Sequence, residues 1–349
     1  MTGPSLVDFG RARRVLRVGP TSTVVNTRTV VLVVVTLLGG AAAFKLSVSL
    51  GRYPVPLDQV ADILGGGDHG FSNRVVLEWR LPRALAGIVY GAGLGVAGAI
   101  VQSVTRNPLG SPDVVGIGAG AYTGALLASM TLGGSWAVTA AALAGGIGTA
   151  VIVFALSSGS GLSGTRFIVV GIAVASALTA VNSILVLRMS TRAATTVSIW
   201  GQGTLVDVSA AELVPSAAAV LLLAVLAGVR GPAMRQLELG DGAAASTGVS
   251  VGRSRVLLLS IAVLLTAVIT SVTGPIAFIA LVAPQLARLL TGGGGTGLLG
   301  SAAAGALLLA ASDVAAAHLF PMSLPVGVVT AVLGGGYLLA LVLREARRP

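Results

Sequence analysis

Charge is what this chain most lacks. Asp, Glu, Lys and Arg together make up 10% of its 349 residues, whereas a soluble domain carries about 25% to keep its surface wet. A water-exposed surface cannot be assembled from such a composition. Cysteine is absent, which excludes disulfides, thiolate metal sites and thiol redox centres. Two histidines, His69 and His318, are too few for a dedicated transition-metal site. Lys45 is the single lysine and no Walker A pattern occurs, so phosphoryl transfer is excluded on this chain. No GxSxG, HExxH or paired-carboxylate motif is present, and nothing in the sequence marks an enzyme.

What is present is apolar. Hydrophobic residues reach 54%, with 49 glycines and a mean hydropathy of +0.94. This describes an all-α integral membrane protein, since each span takes about 20 residues and small residues let such helices pack closely. The first span begins at Thr29, after a basic segment over 1–28. Others follow over 84–104, 114–131, 136–156, 167–187, 212–229, 256–273, 276–290, 298–316 and 326–343. Ten spans put both termini on one side, with a membrane domain over 29–343 and a short tail over 344–349. The Ala41-Ala42-Ala43 run has the look of a signal-peptide cleavage site. The basic leader is long and the rest of the chain is membrane-bound, so the segment is expected to stay.

A formal charge of +10 could suggest nucleic acid, but counting assigns it to a cytoplasmic face. With the N-terminus inside, fifteen arginines fall inside: residues 11, 13, 14, 17, 28, 106, 166, 230, 235, 253, 255, 288, 344, 347 and 348. Seven cations fall outside: Lys45, Arg52, Arg74, Arg80, Arg83, Arg188 and Arg192. That satisfies the positive-inside rule, and both termini are expected in the cytoplasm.

Within the spans, Gly87, Gly91, Gly95 and Gly98 fall on one helix face and predict a close packing surface. Gly116-Ile-Gly118-Ala-Gly120 has no preceding strand or following acid and is not a dinucleotide fingerprint. Asn107-Pro108-Leu109-Gly110-Ser111-Pro112-Asp113 is a tight turn, in which the prolines stop one helix and Asp113 can cap the next. Gly159–Thr165 is a small-residue loop, either a connector or a mobile gate. In the longest cytoplasmic loop, Gly231–Ser254, residues 234–239 read as a short helix ended by Gly240. Asp241 caps a second helix, and Gly248 closes it. Two projecting helices carrying Leu237 and Leu239 suit docking in a partner's groove. Asp313 is the chief ionisable group in the interior and is either a packing residue or a proton site. An ion-coupled secondary transporter would need more such groups. A pore energised by a separate ATPase fits better.

The blocks Arg80-Leu81-Pro82-Arg83, Gly91–Gln102 and Arg106–Asp113 with Gly116 and Gly120-Ala121 resemble the FecCD family of ABC importer permeases. So do Leu237-Glu238-Leu239-Gly240-Asp241 with Gly248, Gly274–Pro284 and Leu324–Thr330. The resemblance implies ten helices per subunit and a pore between two permease subunits. It also implies two cytoplasmic ATPases and an external substrate-binding protein, with no cofactor, metal site or nucleic acid. On that basis Leu237, Glu238, Leu239, Gly240, Asp241 and Gly248 look like the ATPase-coupling segment. Arg80 and Arg83 look like external arginines that pair with carboxylates of the binding protein. Leu162, Ser163, Gly164 and Thr165 look like the cytoplasmic gate, and Asn107, Pro108, Leu109, Pro112 and Asp113 form the family's turn. Ala317, Ser323 and Gln285 depart from the usual Arg, Glu and His. With Tyr122–Leu126, Trp200, Gly203-Thr204-Leu205 and Gly334-Gly335 before Tyr337, they look most like the ferric-enterobactin branch. That branch pairs two different permeases and implies import of an iron siderophore across the bacterial inner membrane. Haem and vitamin B12 are other cargoes of the family.

Overall fold

The computed structural model describes residues 13–18, 21–51, 53–131, 134–157, 164–292 and 297–346. Short strands β1 (Arg13–Val18) and β2 (Thr21–Asn26) pair antiparallel as a hairpin before the first span. Beyond it the described chain is helical. The helix α1 (Thr27–Ser49) leads to α2 (Leu57–Leu64) and α3 (Phe71–Arg74). A π-helical turn, Val75–Arg80, then runs without a break into α4 (Leu81–Thr105).

The chain continues as α5 (Ile117–Thr131), α6 (Ser135–Ser157), α7 (Gly164–Leu187), α8 (Thr191–Trp200) and α9 (Ala210–Val229). The short α10 (Gly231–Glu238) and α11 (Asp241–Ser246) precede α12 (Val251–Thr273) and α13 (Ile279–Thr291). Last come α14 (Leu298–His318) and α15 (Val326–Ala346). Among the described residues seven helical segments are long and apolar enough to cross a membrane, and Ile279–Thr291 and Val326–Ala340 are shorter apolar helices. Each expected span coincides with one helix, although the second begins a full three turns before the expected residue 84, at Phe71.

Buried deepest is α4, which packs against α14, α12, α13 and α9. Glycine makes this possible. Gly91 lies on the backbone of Gly305 and Ala306, Gly95 on Ser301 and Gly98 on Ala280, where no Cβ fits. The expected glycine stripe is therefore the seam between α4 and the α13–α14 pair, with Gly87 continuing it against Ala310. A second seam joins α5 to α6, where Gly120 and Gly124 meet Gly145 and Ala141. By contrast, α7 leaves Val169, Ile172, Val181, Ile184 and Leu187 exposed.

Between α12 and α13 the helix breaks over Gly274–Phe278, five residues rather than the expected three. Gly274 (φ +70°) presses on the Trp200 carbonyl, so neither a side chain nor ordinary backbone would fit there. At the bundle end holding residues 50–80, a small separate core forms from Val48, Val55, Val60, Ile63, Val75, Val76 and Ala84. The opposite end, where α4 finishes, carries α10 and α11.

Candidate functional site: a cavity and a braced helix pair

Two regions are candidates for function. The first is a cavity of about 610 Å³ bounded by α5, α7 and the Gly274–Phe278 break. Asp113, Tyr122, Thr179, Asn182, Ser183 and Thr270 line it alongside Ile276 and Ala277. Asn182 is 4% exposed and pins α7 to α5. Its Nδ2 donates to the Ala119 carbonyl at 3.0 Å, and Thr123 Oγ1 donates to its Oδ1 at 2.7 Å. An amide with both ends satisfied in this way is rigid. Sequence reading missed Asn182, whose one signal is a lone amide within an apolar helix.

The turn leading to the cavity has a different capping arrangement from the one expected. Arg106 ends α4 in the left-handed conformation (φ +51°), and Asn107 Oδ1 accepts from Leu109 N–H. It is Ser111, not Asp113, that caps the 3-10 turn Pro112–Val115, by accepting from Asp113 N–H at 3.3 Å. Asp113 is free to turn its carboxylate to the cavity wall, where Ser111 Oγ donates to it at 3.1 Å. Asp113 is the second residue of the turn and lies past the N-cap position that Ser111 occupies.

The second region is the α10–α11 pair, whose helices and turns fall where the sequence placed them, with Gly240 at φ +114° and Gly248 at φ +82°. Its two acids bond to side chains of neighbouring helices. Ser103 Oγ, on α4, donates to Glu238 Oε1 at 2.8 Å. Asp241 does not cap α11, whose N-cap is Gly240 without a side-chain bond. Its carboxylate instead accepts from Arg106 Nη2 at 3.0 Å and from Arg255 Nη2 at 2.9 and 3.2 Å. Leu237 is buried, whereas Leu239 is 72% exposed. Beside this pair, Gln102 Nε2 donates to the Leu281 carbonyl, and its Oε1 accepts from Gln285 Nε2 and Arg288 Nη2. Gln285, at a position where the resemblance has histidine, also donates to the Pro108 carbonyl.

At the opposite end, the two arginines expected to be free are both engaged within the chain. Arg83 forms a forked ion pair with Asp313, Nε to Oδ2 at 2.9 Å and Nη2 to Oδ1 at 2.8 Å. Their side chains are 18% and 5% exposed. Arg80 donates through Nη1 to the Val48 carbonyl at 2.8 Å and through Nη2 to the Tyr53 carbonyl at 2.6 Å. Arg188 and Arg192 stand exposed at the turn between α7 and α8. Of the expected gate, Leu162 and Ser163 lie outside the described residues, and Gly164 and Thr165 open α7. Among the described residues no cluster of His, Asp and Glu could hold a metal ion.

A bundle of long apolar helices, with a side cavity and a braced helix pair projecting from one end, has the build of a membrane permease. Comparison with known proteins agrees. The profile of the FecCD transport family matches residues 27–344. The ferric enterobactin transport system permease protein FepG of Escherichia coli is 44% identical over 300 residues, 85% of this chain and 91% of that one. The ferric enterobactin transport system permease protein FepD of the same organism is 33% identical over 310 residues, 87% of this chain and 92% of that one. A solved metal-chelate type ABC transporter in an inward-facing conformation superposes with a TM-score of 0.78 at 24% identity, over 90% of this chain and 99% of that one. The chain belongs to the FecCD transport family.

Proposed function

We propose that this chain is a permease subunit of an ATP-binding-cassette importer that carries a ferric siderophore of the catecholate class across the bacterial inner membrane. The observation that carries this reading is its 44% identity to the ferric enterobactin permease FepG along nearly the whole of both chains. The architecture supports it. Among the described residues seven helices are long and apolar enough to span, with the shorter Ile279–Thr291 and Val326–Ala340 beside them; in this reading ten spans put the α10–α11 end in the cytoplasm, in keeping with the arginine count. There the helix pair receives one of two ATPases. A second, homologous permease covers the exposed face of α7 and completes the cavity at the subunit interface. A substrate-binding protein delivers the chelate from outside.

Division of labour follows from the chemistry. This chain holds no phosphate cradle, so ATP is hydrolysed on the partners. The described residues offer no iron ligands, which suits a cargo whose metal stays wrapped in its chelator. Asp313, one of the few interior charges, is neutralised by Arg83, which removes it as a free proton site and argues against ion coupling. Arg80 and Arg83 serve the binding protein indirectly here, by holding the outer loop and the α4–α14 pair in shape.

The test is uptake of radio-iron enterobactin into proteoliposomes holding this chain, its partner permease, both ATPases and the binding protein. Uptake that needs ATP and resists a protonophore is expected. Uptake that survives without ATP and collapses with the protonophore would overturn the assignment.

A further inference from the structure

The bonded acids of the helix pair define a linkage, resting on the reading that α10–α11 receives the ATPase. Asp241 is bonded at once to two different helices: to α4 through Arg106, and to α12 through Arg255. Both helices lead to the cavity. From Arg106 the turn runs through Ser111 to Asp113 in the cavity wall, and α12 carries Thr270 in the same wall. Hydrophobic anchoring by Met234 and Leu237, both buried, holds α10 against the bundle. Ser103 ties Glu238 to α4 again, one turn below Arg106. Leu239, Gly242, Ala243 and Ala245 are exposed and carry no charge.

We propose that Asp241 is the positioning residue that passes displacement of α10–α11 into α4 and α12, while Leu239 is the side chain offered to an apolar cleft of the ATPase. The two jobs fall to two residues of one short loop. The carboxylate is about half exposed, at 48%, so its ion pairs contribute little to stability. Neutralising it should leave the fold intact while removing the tie between the loop and the cavity walls. A contact residue and a transmission residue then differ in what their loss does. Loss of the contact frees the ATPase, whereas loss of the transmission lets the ATPase turn over without moving cargo.

The experiment uses the full complex in proteoliposomes with ferric enterobactin as probe, and reads ATPase retention, ATP hydrolysis and iron uptake together. For Asp241→Asn the ATPases stay bound and hydrolysis continues near the wild-type rate. Uptake falls about tenfold, the size of an ordinary coupling effect, and Asp241→Glu restores most of it. For Leu239→Asp the ATPases are lost on co-purification. Arg106→Gln with Arg255→Gln reproduces the Asp241→Asn pattern and supplies the same readouts if that variant is not produced. Wild-type uptake in Asp241→Asn would overturn the proposal. So would loss of the ATPases, or a fall in hydrolysis that matches the fall in uptake. ATP-driven uptake by the wild-type complex is measured in the same series, so failure of the linkage is separable from failure of the functional assignment.

Discussion

Replacing Arg83 by methionine should destabilise the permease before it affects any partner. The guanidinium makes three short contacts to Asp313, at 2.8, 2.9 and 3.1 Å, and the carboxylate is 5% exposed. Two unit charges at about 4 Å attract by about 4 kcal/mol at an effective dielectric of about 20. Removing one partner of such a pair leaves the other buried and uncompensated, at a cost of about 3–5 kcal/mol. For a chain of this size that corresponds to an apparent melting point lower by about 4–7 °C. The assay is thermal unfolding of the detergent-solubilised complex, followed by loss of its monodisperse peak. Removing both charges, as Arg83→Met with Asp313→Val, should recover most of the loss, because the penalty lies in the unpaired carboxylate rather than in the missing attraction. Binding-protein affinity, measured on the same samples, should follow stability. An Arg83→Met protein with wild-type melting and weakened capture would refute this. It would show that the guanidinium is spent on the partner and that its pairing with Asp313 contributes nothing.

Three further outcomes are expected. Arg80→Ala should free the segment around Val48–Tyr53 at a cost of about 1–3 kcal/mol, read as faster amide exchange there. Exchange unchanged from wild type would show that Arg80 does not hold that loop. Gly98→Val should fail to assemble, because a Cβ collides with the Ala280 carbonyl, whereas Gly148→Ala meets open space and should change stability by no more than about 1 kcal/mol; equal behaviour would discredit the seam. Asn182→Leu breaks both the Thr123 and Ala119 bonds and should lower uptake more than Ser183→Ala, whose hydroxyl only returns to its own helix. The reverse order in the uptake assay would remove Asn182 from the cavity's framework.

The helices were legible in the sequence because hydropathy and the bilayer's thickness leave little choice, and the glycine seam because its spacing repeats along one face. The early start at Phe71 was not, since Arg74, Glu78 and Arg80 give that stretch the composition of a loop while its backbone stays helical. Arg83 and Asp313 are 230 positions apart, so no local pattern could pair them. Their meeting depends on how α4 packs on α14. The acids of α10–α11 were read as part of a helix pair, with Asp241 as the cap of the second helix, and the direction in which their side chains bond was not read. Direction depends on Ser103, Arg106 and Arg255, which reach the loop from other helices. The β1–β2 hairpin lies within a basic stretch that offers no clear alternation to the eye.

Everything rests on a conduit without a motor of its own. Proteoliposomes containing this chain and its partner permease, with the binding protein supplied outside and an imposed proton gradient, provide the most direct measurement. Iron enterobactin should not accumulate inside until the ATPases and internal ATP are added, after which it should. Accumulation against its gradient without them would contradict the account.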